Sequence, residues 1–242
     1  MSTSIFLFIA GLMVFLGVLI GGVSFLTGRL KDSHPRKISV GRILQVYYYG
    51  ICLLSIVFIA TGLISILRAT MSYIGGYQFS YQVNNYYQPT PVDSKPIAPD
   101  ATYLGDNQSL ITINSNQYIV NTTAQREELV IGVSLLVSSL IIFALHILLN
   151  ILFIKRISGP VSPYSLIAKT YNFTLLAIFS LSSLILIPTS IYQIVNYILD
   201  NGKVITYTSP VPGEYLSGAI IVSIFWLYYL VKCIAYYSKE SK

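Results

Sequence analysis

Five stretches of this chain carry no Asp, Glu, Lys or Arg: Ser4–Thr27, Ile43–Leu67, Leu129–Ile154, Tyr171–Ile198 and Tyr215–Val231. A helix needs about 20 apolar residues to cross the hydrocarbon core of a bilayer, and each stretch comes close to or exceeds that length. The pattern predicts an all-α polytopic membrane protein with five transmembrane helices. Composition agrees: 54% of the residues are hydrophobic and 10% charged, where a soluble domain carries roughly a quarter charged residues. The N-terminus lacks a basic leader and a small-residue cleavage site, so the first stretch is expected to be a retained helix.

The basic residues bear on orientation rather than on nucleic acid. Gly28–Arg42 is a short loop holding Arg29, Lys31, Arg36, Lys37 and Arg42. Short basic loops stay cytoplasmic. Sides then alternate, which puts Lys155, Arg156 and Lys169 in a second inner loop and Lys232, Lys239 and Lys242 at an inner C-terminus. Asp93, Asp100, Asp106, Glu127, Glu128, Asp200 and Glu214 fall outside. The expected topology is therefore N-terminus out and C-terminus in, in the cell membrane. Its parts are helix 1 at residues 4–27, a helix pair at 43–154 around an outer loop at 75–126, and a second pair at 166–237 around an outer loop at 199–213.

The loop at 75–126 is rich in Tyr, Asn, Gln, Thr and Pro. Tyr77–Val83 alternates as a strand does, and so does Leu110–Ile113, which is followed by a polar turn and Tyr118–Val120. These runs predict strands and a hairpin, with Lys203–Thr208 as a further strand. Together they would form a small extracellular β cap. Asn107 and Asn121 begin Asn-x-Ser/Thr sequons on that side and are candidate glycosylation sites. Asn172 fits the same pattern, but on an inner helix end.

The spans repeat. Tyr47 and Tyr73-Ile74 recur as Tyr171 and Tyr197-Ile198, and Glu128 and Gly132 recur as Glu214 and Gly218. Both units run in the same direction, as parallel rather than inverted repeats do. The stretches Val46-Tyr47-Tyr48-Tyr49-Gly50 to Gly62–Arg68, and Arg126-Glu127-Glu128-Leu129 to Leu145-His146, resemble an uncharacterised prokaryotic family of paired-helix membrane proteins. The resemblance implies architecture only. The chain departs from an even repeat by having Lys232 where the first unit has His146.

Candidate chemistry is sparse. His146 is the only histidine in a span, and a bis-histidine haem would need a second; an interfacial role is expected, with no cofactor or metal. Glu127, Glu128 and Glu214 stand near helix starts, where the positive dipole end favours carboxylates, and Thr122–Gln125 matches a capping box. The spans otherwise carry only mild polar residues, expected to bond between helices. Tyr47–Tyr49, Trp226, Tyr228, Tyr229, Tyr236 and Tyr237 gather at inner ends as an aromatic belt. Gly17 and Gly21 form a small-xxx-small helix-packing motif in the first span. No phosphate loop, zinc spacing, nucleophile elbow or dinucleotide fingerprint occurs.

These features favour a non-catalytic integral membrane subunit. It would contact the lipid bilayer, pack within or anchor a larger membrane assembly of other subunits, and dock a partner through its outer loop. A small transporter or channel with a pathway between the parallel repeats is the second reading. A redox or quinone-handling subunit built on His146 is the third.

Overall fold

A computed structural model describes residues 40–81, 85–87, 108–113, 116–121, 123–154, 166–199 and 211–240. Four long helices account for most of them: α1 (Val40–Gly75), α3 (Thr123–Leu149), α4 (Leu166–Leu199) and α5 (Pro212–Glu240), with a single short helix α2 (Tyr77–Ser80) after α1. All four long helices are long and apolar enough to cross a membrane, which makes the chain a multi-pass membrane protein by length and composition. The first expected span, with Gly17 and Gly21, lies outside the described residues, as do Asn107 and the expected strand at 203–208.

The helices outrun the charge-free stretches. α1 continues from Leu67 to Gly75 through Arg68, because Arg68 is paired and does not need water. It ends at Gly76, whose φ of 87° is one that side chains with a Cβ rarely adopt. α3 closes in a π-helical turn, Asn150–Ile154.

The run Tyr77–Val83, expected as a strand, begins instead as α2, and Tyr81 is its extended C-cap. The alternating pattern concealed an i, i+4 pair: the Tyr77 and Tyr81 rings stack with centroids 5.1 Å apart. Three strands follow, β1 (Asn85–Tyr87), β2 (Gln108–Ile113) and β3 (Asn116–Asn121), in one antiparallel sheet of order β1-β3-β2. β2 and β3 pair from Gln108 opposite Asn121 to Ile113 opposite Asn116. Asn121 is thus the last residue of β3.

The described residues fall into two compact units. One draws on the described residues up to Thr61, between Leu135 and Ile178 and from Phe225 onward, the other on those of Gly62–Ser134 and Phe179–Ile224. Each long helix contributes a segment to both.

In the second unit, α1 buries a stripe of small residues, Gly62, Ser65, Ala69 and Ser72. Small side chains let helix backbones approach closely in lipid. A Cβ on Gly132 of α3 would stand 3.0 Å from the Gly62 carbonyl oxygen and from Ser65 Cβ. The equivalent Gly218 of α5 meets Leu186 of α4, 3.2 Å from its would-be Cβ. Positions 62 and 186 are related by the same offset as Tyr47 and Tyr171. The two helix pairs therefore make the same contact at repeat-equivalent positions.

Four of the buried serines are satisfied within their own helix rather than between helices. Ser55 donates to the Ile51 carbonyl, Ser72 to Ala69, Ser190 to Ile187 and Ser217 to Glu214, at 2.6–2.9 Å. Such back-bonding is open to any helical serine. It leaves the residue small and self-contained at a close interface.

Candidate functional site: an arginine shared by two glutamates

The second unit is organised around Arg68. Its Nη1 lies 3.3 Å from Glu128 Oε1 on α3, and its Nη2 lies 3.1 Å from Glu214 Oε2 on α5. Nε donates to the Ser80 carbonyl at 3.1 Å. The guanidinium carbon stands 4.7 Å from the centroid of the Tyr81 ring. The three charged side chains are only 16–18% exposed. A planar fork of donors suits this task, since it can address separate acceptors without changing shape.

The sequence placed an unpaired charge nowhere in the spans, yet Arg68 and Glu128 both lie inside helices long enough to cross. The charge-based boundary hid them, because it stopped the second span one residue before Arg68. The signal that could have found them is the repeat itself. Glu128 and Glu214 are repeat equivalents, and both turn to the same cation. The position equivalent to Arg68 in the second unit is Tyr192, which is exposed. One arginine therefore serves both carboxylates.

The capping explanation holds for one glutamate only. Glu214 is in the first turn of α5. α3 begins at Thr123 with no acid in its first turn, so Glu128 sits beyond the strongest part of the helix dipole, and Glu127 is exposed. Thr122 of the expected capping box lies outside the described residues, and Gln125 reaches another helix. Its Nε2 donates across to Ser72 Oγ on α1 at 2.6 Å.

α2 and the start of α5 lock the floor of this site. Ser80 is fully buried, and its Oγ occupies the space a Cβ on Gly213 would need; Phe79 Cδ1 and O stand 2.9 and 3.0 Å from the same point. Phe79 also packs edge-on against Tyr197 of α4 at 5.5 Å. Tyr81 is 6% exposed, and its hydroxyl lacks a hydrogen bond of good geometry. Burial pushes that phenol well above its ordinary value, the neighbouring Glu128 carboxylate adds to the rise, and Arg68 opposes it. Burial likewise raises Tyr77. Both phenols stay neutral at physiological pH.

The first unit holds the remaining candidates. His146 Nδ1 lies 2.8 Å from the Ile142 carbonyl, and Nε2 lies 3.3 Å from the Tyr47 hydroxyl. A carbonyl only accepts, so Nδ1 carries the proton and Nε2 accepts from Tyr47. Both ring nitrogens are engaged. The expected aromatic belt divides: Tyr47 and Tyr228 are exposed, whereas Tyr229 is buried and shares a hydrogen bond with Tyr171. Tyr171 packs on Tyr49 at 5.0 Å. Lys232 lies 5.6 Å from the Tyr228 and Tyr229 ring centroids. Asn172 is 2% exposed and donates to the Ala168 carbonyl, so burial alone removes it as a glycosylation site. Among the described residues no group of three or more His, Cys, Asp or Glu side chains could hold a metal.

No protein-family model, curated protein or solved structure matches this chain.

Proposed function

We propose that this protein is a non-catalytic integral membrane subunit that packs within or anchors a larger membrane assembly. The observation that carries this reading is the exposure of α3. Of its described residues only Gly132 and Ser139 are buried, and Val130, Val133, Val137, Leu140, Ile141 and Leu145 all face outward. A helix that gives so little of its surface to the other described residues is placed to contact a further helix or lipid. Packing between helices in lipid rests on close van der Waals fit, and α3 supplies apolar side chains over most of its circumference.

Engagement of the reactive-looking groups supports the non-catalytic part. Arg68, Glu128 and Glu214 pair with one another, and the histidine nitrogens are taken. Lysine and arginine asymmetry supports an outer position for 75–126, where the sheet would form a cap and docking surface, and a cytoplasmic C-terminus.

A photo-crosslinking amino acid at Val137 or Leu145, incorporated in native membranes, tests the reading. Discrete protein adducts are expected. Adducts to lipid alone at both positions would refute it. The repeat-equivalent contacts at Gly132 and Gly218 favour a second reading, a small transporter or channel between parallel repeats. Saturable, gradient-driven solute uptake by the purified chain in liposomes would select it.

A further inference from the structure

We propose that α2 is a latch: a pull on the outer sheet withdraws it from its seat and loosens the outer ends of α1 and α5. The inference rests on the reading of the sheet as a docking surface, since a bound partner would supply the pull. Within the second unit, α2 and its C-cap Tyr81 meet all four long helices. A Cβ on Gly75 of α1 would stand 2.9 Å from Phe79 Cγ, and one on Gly213 of α5 would stand 2.9 Å from Phe79 Cδ1. The Phe79 ring packs edge-on against Tyr197 of α4 at 5.5 Å. The Ser80 carbonyl accepts from Arg68 Nε at 3.1 Å. The Tyr81 ring lies against the Arg68 guanidinium, beside Glu128 of α3.

The seat is close in shape and poor in polar partners. Gly76 turns the chain from α1 into α2 with φ 87° and ψ 159°, a region essentially closed to residues with a Cβ. Gly75 and Gly213 give α2 the space that their side chains would fill. Ser80 is fully buried, yet its Oγ has no hydrogen-bond partner among the described residues. An unmade hydrogen bond opposes burial, and leaving the seat returns that hydroxyl to water. Close packing therefore holds α2 in place while an unmet polar group favours its release. The sheet is tied to this seat. Three residues separate Tyr81 from β1, so Tyr81 and Asn85 lie at most about 14 Å apart. β1 pairs with β3 over Asn85–Tyr87, and β3 is followed by α3 after one residue. A displacement of the sheet away from the helices is taken up along the tether and then at α2.

Hydrogen exchange of the full chain in lipid nanodiscs, read by mass spectrometry, tests the latch without any partner. Deleting Val83 shortens the tether. Amide exchange over Arg68–Gly75 of α1 and Glu214–Gly218 of α5 should rise about five- to thirtyfold, the factor that a small loss of local stability produces. Exchange over Ile51–Thr61 should stay at the wild-type rate. Adding Tyr86→Pro, which frees β1 from β3, should restore protection at both helix ends, because the tether then has nothing to pull against. Lengthening the tether by about six Gly and Ser residues, a flexible chain, should leave both ends as in the wild type. Phe79→Ala empties the seat with the tether intact and should raise exchange at the same amides; it tests the clamp if the shortened chain does not fold. Helix ends unchanged by the deletion, helix ends that Tyr86→Pro does not restore, or a Phe79→Ala chain like the wild type would each overturn the proposal. Crosslinking at Val137 and Leu145 reports the subunit reading separately, so either can fail alone.

Discussion

Sharing one arginine between two glutamates has a consequence that independent salt bridges would not have. Replacing either carboxylate by its amide leaves Arg68 with one ionic partner. In Glu128→Gln the Nη2 contact to Glu214 at 3.1 Å remains, and in Glu214→Gln the Nη1 contact to Glu128 at 3.3 Å remains. The glutamine oxygen still accepts a hydrogen bond, so each single variant should cost no more than about 1 kcal/mol, the net worth of an ordinary hydrogen bond. The double variant strands a guanidinium that is 16% exposed. Removing the partner of a buried charge costs about 3–5 kcal/mol. The double variant should therefore lose about 1–3 kcal/mol more than the sum of the singles. At about 2–4 °C per kcal/mol for a chain of this size, each single should lower Tm by a few degrees and the double by about 6–20 °C. Thermal unfolding in one detergent at neutral pH measures all four corners of the cycle. Independent sites add to within about 0.5 kcal/mol. Additivity within that limit would refute the shared-arginine account.

Three further outcomes follow from single contacts. Gly213→Ala places a methyl group on Ser80 Oγ and against the Phe79 carbonyl; overpacking of this kind costs about 1–3 kcal/mol, and Ser80→Ala in the same chain should recover part of the lost Tm. Tyr47→Phe removes the donor to His146 Nε2 at a cost of about 0.5–1.5 kcal/mol, and the His146 imidazole chemical shifts at fixed neutral pH should move while those of a Tyr228→Phe control stay in place. Cysteines at Ser94 and Ser238 report orientation: an impermeant thiol reagent on intact cells should label the first and spare the second, and the reverse pattern would invert the topology.

Much of the architecture was legible because lipid enforces a simple code. Apolar length placed α1, α3, α4 and α5, and the β-prone runs Leu110–Ile113 and Tyr118–Val120 fall within β2 and β3, although Asn116 and Gln117, expected in the turn, belong to β3. Boundaries failed where a charge was compensated. Arg68 closed a stretch on paper but sits within α1, since its partners lie 60 and 146 residues away in sequence. Pairing at such separation leaves no local trace. Tyr77–Val83 failed for a different reason: its alternating pattern also contains the i, i+4 tyrosine pair that stacks in α2, and period alone does not separate the two. The repeat of Glu128 and Glu214 was visible, but a shared cation was not, because only one unit carries it. The small-residue packing expected at Gly17 and Gly21 falls outside the described residues; α1 displays such packing at Gly62, Ser65, Ala69 and Ser72.

The subunit reading is most directly tested by the mass of the particle in which the protein resides. The tagged chain, expressed at native level and extracted in a mild detergent, can be measured by light scattering corrected for detergent, with its companions identified by mass spectrometry. A particle holding the 26.9 kDa chain together with a stoichiometric second membrane protein is the predicted result. A particle with the mass of one copy and no companion, under extraction that keeps known complexes of the same membrane intact, would contradict it.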